Sequence, residues 1–150
     1  MSFVINAKPE FAYVVLGVLG ILVHYTRTSL LCNDARKRYN VPYPDMGSGI
    51  FAAKLSEKDW IAFNNVQRAH YQYLEQLPTA ISLAVLAGLY RPQLSAVMCL
   101  TYVLGRELYS HGYIKHGSSG RFNGIALITP SLFTWLGIAA FGSAQQIGWI

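Results

Sequence analysis

The chain has 150 residues, a length typical of one domain; 53% of them are apolar and only 13% are charged. Soluble domains carry about 25% charged residues, so this composition excludes a disordered chain, a coiled coil and a nucleic-acid-binding tail, despite the net charge of +5. We therefore predict an integral membrane protein.

The first apolar run covers residues 11–31 and is long enough for a spanning helix, which takes about 20 residues. Because it lacks a basic leader and a small-residue cleavage site, we expect a helix that stays in the protein rather than a cleavable signal peptide. Residues 32–59 form the longest polar stretch, and its prolines and glycines predict a loop. Ser56 is predicted to cap the next helix, since Asp59 lies three residues further on.

Three more helices are predicted along the rest of the chain. The second runs over about residues 58–89, with Pro78 kinking its apolar half rather than ending it. The third covers residues 94–108 and can extend to Tyr113, and the fourth covers residues 125–141. The pattern predicts one all-α domain over the whole chain, an integral membrane four-helix bundle with up-down topology.

The basic residues are unequally shared between the two ends of this bundle. The side with the loops at 32–59 and 114–123 holds Arg36, Lys37, Arg38, Lys54, Lys58, Lys115 and Arg121. The opposite side holds only Lys8 and Arg91. By the positive-inside rule, we expect the two loops to face the cytosol.

Two of the predicted spanning helices carry polar stripes. On the second helix the stripe consists of Arg68, Gln72 and Glu75; on the third it consists of Arg106, Tyr109 and Tyr113. Polar residues at these spacings share one helix face, and charged groups inside a membrane are costly unless they have a function. Arginine binds carboxylates through two parallel hydrogen bonds, so the stripes suggest a pocket for a ligand such as a small peptide.

The spacing leaves a second interpretation equally open. Arg68 could pair with Glu75, and Arg106 with Glu107, simply to hold polar helices together inside the bundle. The two cysteines are too few for a disulfide framework or a cysteine zinc site, and the four histidines are scattered. We expect no metal.

Three segments resemble motifs of a known membrane family. Residues 63–78 fit F-N-x-x-Q-R-A-H-x-x-x-L-E-x-x-P, and residues 105–113 fit G-R-x-L-Y-x-x-G-Y. Residues 35–44 fit A-R-K-x-Y-x-V-x-Y-P. On the first two motifs the chain resembles the MAPEG superfamily, the membrane-associated proteins in eicosanoid and glutathione metabolism. On the third it resembles the microsomal glutathione S-transferase type 3 branch.

This resemblance implies a homotrimer with four helices per subunit and with glutathione, as co-substrate, bound between neighbouring subunits. It implies conjugation of glutathione to lipophilic electrophiles, or glutathione-dependent reduction of lipid hydroperoxides. It also implies a multi-pass protein of the endoplasmic reticulum or another intracellular membrane, in contact with membrane lipid and with no nucleic-acid partner.

The resemblance also assigns site residues by position. Glutathione binding falls on Arg36, Arg68, His70, Gln72, Glu75, Arg106, Tyr109 and Tyr113. His70 points away from Arg68 on the same helix, so it would reach glutathione held by a neighbouring subunit. The catalytic position falls on Arg121, whose guanidinium would stabilise the reactive thiolate of glutathione.

Other interpretations remain open at this point. Arg121 could instead anchor a lipid headgroup. The chain could be a non-catalytic lipid-binding scaffold that resembles the lipoxygenase-activating member of the superfamily. A small transporter is the third alternative, and it rests only on the charges inside the predicted spans.

Overall fold

The computed structural model describes residues 8–150, and this part of the chain is helical with no strand. Four α-helices follow one another along it: α1 (Phe11–Tyr39), α2 (Glu57–Tyr90), α3 (Pro92–His116) and α4 (Phe122–Gln146). Two short 3-10 helices, Ala52–Lys54 and Gly117–Arg121, lie in the connections. The predicted all-α class is confirmed.

Helix α1 is longer than its apolar run predicts. It continues past residue 31 to Tyr39, so the predicted loop 32–59 shrinks to the segment 40–56. Basic side chains fill the last helical turn, where cations stabilise the carboxyl end of the helix dipole. Asn40, with φ 51° and ψ 47°, ends the helix in the left-handed conformation. Apolar periodicity marks only the part of a helix that meets an apolar environment. The last turns of α1, after residue 31, are polar and carry no such pattern.

Helix α2 begins and continues as predicted. The backbone N–H of Asp59 donates to the Ser56 hydroxyl oxygen at 3.2 Å, and that hydroxyl donates to the Asp59 carboxylate at 2.8 Å. The helix runs through Pro78 to Tyr90. Only Arg91 then separates it from α3, which starts with Pro92, a residue well suited to the first helical turn.

Helices α2 and α3 are central, because each packs against both of the outer helices α1 and α4. Large aromatic side chains fill the core around them, among them Tyr73, Tyr102 and Trp135, all fully buried. Their polar atoms are paired: the Tyr73 hydroxyl donates to the Ile21 carbonyl at 3.0 Å, and the Trp135 indole N–H donates to the Ser95 carbonyl at 3.2 Å. Such pairing avoids the cost of burying an unsatisfied donor.

The outer surface is strongly apolar. Leu16, Val23, Leu100 and Phe133 are each more than 60% exposed, and soluble proteins rarely leave so much apolar surface in water. Among the described residues, two helical stretches are long and apolar enough to cross a membrane, Phe11–Tyr39 and Pro92–Gln146. Helix α2, with its polar first half, does not meet the same criterion.

The segment between α1 and α2 is organised by one carboxylate. The Asp45 carboxylate accepts four backbone N–H groups at 2.8–2.9 Å, those of Gly47, Gly49, Phe51 and Ala52. These bonds, above all the one from Ala52, lower the pKa of Asp45 to about 2. The side-chain amide of Asn64 on α2 donates to the Gly47 carbonyl at 3.0 Å, so the loop is held against the start of α2.

Candidate functional site

The second-helix stripe forms an ion pair at the surface. An Arg68 Nη atom lies 3.1 Å from the Glu75 carboxylate, and both side chains are more than half exposed. Arg68 and Glu75 therefore do pair, but within one helix and at its surface, so the expected role of holding helices together inside the bundle is wrong for this pair. A surface pair of this kind contributes only about 0–1 kcal/mol, so both groups remain available to a ligand.

Arg106 is fully buried and bonded to neutral acceptors. Its Nε donates to the Tyr102 hydroxyl at 3.0 Å, one Nη donates to the Gln76 side-chain oxygen at 2.5 Å, and the other donates to the Gln72 side-chain oxygen. The guanidinium also lies over the Tyr73 ring, 4.4 Å from its centroid. No carboxylate pairs with it in the described part of the chain. Arg106 therefore makes the centre of the bundle electropositive.

The predicted pairing of Arg106 with Glu107 is wrong. Consecutive residues point about 100° apart on a helix, and Glu107 faces α1 while Arg106 faces α2. The Glu107 carboxylate accepts from His24 Nε2 at 2.9 Å and from both Nη atoms of Arg27. Glu107 thus ties α1 to α3 without taking part in the polar stripe.

Tyr109, Tyr113 and Arg121 meet where α3 approaches the second 3-10 helix. The two tyrosine rings are stacked with centroids 5.7 Å apart, and Tyr109 is only 3% exposed. The Arg121 guanidinium lies beside the Tyr109 hydroxyl. Nε of Arg121 is buried and has no hydrogen-bond partner among the described residues. A cation with an unused donor next to a phenol is suited to stabilising an anion.

Two glycines set the position of Arg121. A Cβ on Gly112 in α3 would collide with the Gly120 carbonyl oxygen, and a Cβ on Gly120 would collide with the Gly112 carbonyl oxygen. Only two residues without side chains allow the backbones to approach so closely. Since Arg121 follows Gly120 directly, this contact holds its side chain beside the helix that carries the two tyrosines.

Arg68 and Tyr113 line a common cavity of about 280 Å³ between the start of α2, the end of α3 and the preceding loop. We call it the polar cavity. Its other lining residues are Met46, Asn64, Asn65, Gln67 and Tyr71.

Two predicted site residues lie elsewhere in the subunit. His70 faces α1, where its Nδ1 is 3.0 Å from the Thr28 hydroxyl and its ring stacks on Tyr25 at 5.1 Å. Arg36 is only 6% exposed and donates to two backbone carbonyls of the loop, those of Val41 at 3.2 Å and Asp45 at 2.5 Å. Arg36 therefore organises the loop, and neither residue is brought to Arg68 or Tyr109 within one chain.

Arg106 donates to three side chains, and sequence reasoning predicted only one of them, Gln72, as a site residue. Gln76 and Tyr102 are each four residues from a predicted site residue, Gln72 and Arg106 respectively, and so share its helix face. That spacing was the available signal. The structure also separates Gln72 from the surface pair, because its side-chain oxygen is engaged by Arg106.

The described residues contain no group of three histidine, cysteine, aspartate or glutamate side chains that could hold a metal ion. The chain matches a family model. The model described as the MAPEG family matches residues 11–141, which span α1 to α3, most of α4 and all three motif segments.

Proposed function

Because the chain belongs to the MAPEG family, a membrane-associated family with glutathione transferases and non-catalytic members, we propose that it is a membrane glutathione transferase with glutathione-dependent peroxidase activity. Its substrates in this proposal are lipophilic electrophiles and lipid hydroperoxides. Arg121 is the catalytic residue. The residues that hold glutathione include Arg68, Glu75, Tyr109 and Tyr113.

The observation that supports this proposal is the meeting of Arg121 with Tyr109 and Tyr113. These residues come from two elements, α3 and the second 3-10 helix, and the resemblance assigns them to one site. The fold brings the Arg121 guanidinium to the Tyr109 hydroxyl. A non-catalytic scaffold has no need of a guanidinium with an unused buried N–H.

The chemistry follows from the thiol. A free thiol has a pKa of about 8.5 and is only a few per cent ionised at pH 7, and a guanidinium beside the sulfur favours the thiolate. The thiolate attacks an electrophilic carbon, a C–S bond forms, and the leaving group departs with its electron pair. With a hydroperoxide, the sulfur attacks the terminal oxygen. The O–O bond breaks to give an alcohol and a sulfenic acid, and a second glutathione converts this to disulfide and water.

We propose that the protein lies in the endoplasmic reticulum or another intracellular membrane, with four spanning helices and with the loops 40–56 and 117–121 on the cytosolic side. We propose a homotrimer with glutathione between subunits. The exposed Arg68–Glu75 pair supports this assembly, since a charged pair on an apolar bundle favours a position against protein rather than lipid. His70 and Arg36, which lie away from this pair, would then belong to a neighbouring subunit's site.

The test is thiolate formation by purified protein in detergent, followed by ultraviolet absorbance on addition of glutathione near neutral pH. Wild type is expected to form the thiolate. Arg121→Ala is expected to bind glutathione and lose the thiolate signal, whereas the matched variant Arg91→Ala, at the far end of the bundle, behaves as wild type. A wild-type protein that binds no glutathione would reject the proposal. Side-by-side turnover of an aryl halide and a lipid hydroperoxide then separates transferase from peroxidase activity.

One observation favours a second function, that of a non-catalytic lipid-binding scaffold. A groove of about 670 Å³ runs between α1 and α3 and is lined mainly by apolar residues, including Leu16, Val97, Leu100 and Leu104. Gly20 leaves its floor open on the α1 side, since nothing lies within 4 Å of a Cβ at that position. The scaffold function predicts acyl-chain binding without thiolate formation, so the absorbance experiment also distinguishes the two functions.

A further inference from the structure

The apolar groove between α1 and α3 ends in a cluster of charged side chains. Its lining ends at Gly20 on α1 and at Leu104 on α3. The next residues on the same helix faces are His24 and Arg27 on α1 and Glu107 on α3. The Glu107 carboxylate accepts from both Arg27 Nη atoms and, at 2.9 Å, from His24 Nε2. We call these three residues the charged bridge, because they join the two walls of the groove.

Both charged groups of the bridge keep polar capacity for a ligand. The Arg27 side chain is 53% exposed and the Glu107 side chain is 41% exposed. Arg27 donates to Glu107 from each of its two Nη atoms, and a guanidinium has five N–H donors. Helix α1 is long and apolar enough to cross a membrane, and an exposed charge there is costly without a polar partner. The charged bridge is therefore suited to a ligand with polar groups of its own.

We propose that one phospholipid with an ethanolamine headgroup binds here, with an acyl chain in the groove and its headgroup at the charged bridge. The phosphate accepts hydrogen bonds from Arg27, and the ammonium group donates to Glu107. The Arg27–Glu107 pair carries one charge of each sign, and this headgroup carries the complementary two. The inference rests on the membrane placement proposed above and is independent of glutathione binding, so it applies equally to a transferase and to a scaffold.

Other occupants match the charged bridge less well. A fatty acid or a phosphoglycerol headgroup brings a negative charge with no ammonium group, and this charge is repelled by Glu107. A choline headgroup has a quaternary ammonium, which has no N–H to donate to the carboxylate. An apolar helix of another protein chain would fill the groove but leave the charged bridge without polar partners.

The groove has the size and the length for an acyl chain. Its volume of about 670 Å³ falls within the range of ligand pockets, about 300–1,000 Å³. Gly20 lies seven residues before Arg27, and Leu100 lies seven residues before Glu107, which is about 10 Å along each helix. One leaflet contributes about 15 Å of hydrocarbon, half of a core about 30 Å thick. An acyl chain whose headgroup lies at the charged bridge therefore passes both Gly20 and Leu100.

The test measures the thermal unfolding midpoint of delipidated protein in detergent after addition of one lipid. The lipids are phosphatidylethanolamine, phosphatidylcholine and phosphatidylglycerol with identical acyl chains. We expect phosphatidylethanolamine to raise the wild-type midpoint about 5 °C more than either of the others, because a ligand that binds only the folded state stabilises it.

A leucine at position 20 blocks the groove. Gly20→Leu fills it without displacing protein atoms, because nothing lies within 4 Å of a Cβ at that position. The variant should keep at least the lipid-free midpoint of wild type and lose most of the gain from phosphatidylethanolamine. Gly137→Leu in α4 has the same free space around its Cβ and lies outside the groove. It is the matched control and should keep the wild-type gain.

Glu107→Gln tests the headgroup, because it keeps an oxygen that accepts from Arg27 and removes the negative charge. We expect the largest gain to move from phosphatidylethanolamine to phosphatidylglycerol, whereas a bridge with only a structural role would lower the midpoint equally with every lipid. Equal gains from all three lipids in wild type would overturn the inference, as would a full phosphatidylethanolamine gain in Gly20→Leu or an unchanged order of lipids in Glu107→Gln. A smaller oligomer of Gly20→Leu in detergent would also overturn it, because the groove would then be an interface between subunits.

Discussion

At the scale of single residues, two buried charges, those of Asp45 and Arg106, are stabilised in different ways. The Asp45 carboxylate is saturated by four backbone N–H groups and so needs no cation. Arg106 is held only by neutral oxygens, so its charge is stabilised by dipoles and by the Tyr73 ring rather than by a carboxylate. The first arrangement fixes a loop. The second leaves a net positive charge close to Tyr109, whose ring centroid is 5.8 Å away.

The Asp45 carboxylate makes the stability of the loop 40–56 depend on pH. The pKa of its carboxyl is about 2 in the folded protein and 3.8 in a freely solvated aspartate, so its stabilisation is fully present above about pH 4. It is lost as the pH falls through this window toward 2. We expect the thermal unfolding midpoint in detergent to drop more steeply with acid in wild type than in Asp45→Asn, which cannot lose a charge there.

The same comparison with Asp34→Asn, an exposed aspartate in α1, serves as the control and should follow wild type. If Asp45→Asn and wild type lose stability in parallel between pH 4 and pH 2, the four backbone bonds do not depend on the charge of the carboxylate.

At the scale of elements, the site depends on how one short helix meets a long one. The second 3-10 helix carries Arg121 and touches α3 through the Gly112–Gly120 contact. Further along, Gly124 at the start of α4 packs against the backbone of Gly105 and Tyr109. Four glycines thus bring α4 and its preceding turn against the face of α3 that carries the tyrosines.

Gly112→Ala is expected to push the second 3-10 helix away from α3, because the added methyl group would overlap the Gly120 carbonyl oxygen. Arg121 then leaves the Tyr109 hydroxyl. We predict loss of most of the thiolate absorbance, together with a lower unfolding midpoint. Gly137→Ala is the matched control, since nothing lies within 4 Å of a Cβ there.

The control substitution should be neutral or stabilise α4 by up to about 1 kcal/mol, the difference in helix propensity between glycine and alanine. A Gly112→Ala protein with the full thiolate signal would show that the close contact does not position Arg121.

At the scale of the whole molecule, the apolar residues are on both the inside and the outside. Core positions are filled by aromatic and small side chains, while leucine, valine and phenylalanine cover the outer faces. The polar groups collect at the end that holds the loop 40–56, the second 3-10 helix and the polar cavity. This polarity supports a fixed orientation in a membrane.

The proposed topology predicts one-sided labelling by a membrane-impermeant thiol reagent. In sealed microsomes, Ser48→Cys in the cytosolic loop should react without permeabilisation, whereas Arg91→Cys should react only after detergent is added. The native Cys32 and Cys99 are both buried and provide a low background. Labelling of both variants from the same side would show that α2 does not cross the membrane and would reject the proposed topology.

The sequence alone determined what depends on local pattern. Apolar periodicity located the helices, the Ser56–Asp59 pair marked the start of α2, and the motifs identified the family that residues 11–141 match. Helix ends were predicted less well, since polar helical turns such as the end of α1 carry no apolar signal.

Only the tertiary structure decided which side chains meet. The sequence spacing allowed Arg106 to pair with the Glu107 carboxylate. In the fold, α2 packs on α3 so that Arg106 instead donates to Gln72, Gln76 and Tyr102. Likewise, only the fold shows Arg121 beside Tyr109 and Glu107 bonded to Arg27 on α1. The glutathione-binding and catalytic roles stay predictions. The physical reason is that the local sequence fixes only the direction in which a side chain leaves its helix. The residue that this side chain contacts depends on how the neighbouring helix is shifted along it and how closely it packs.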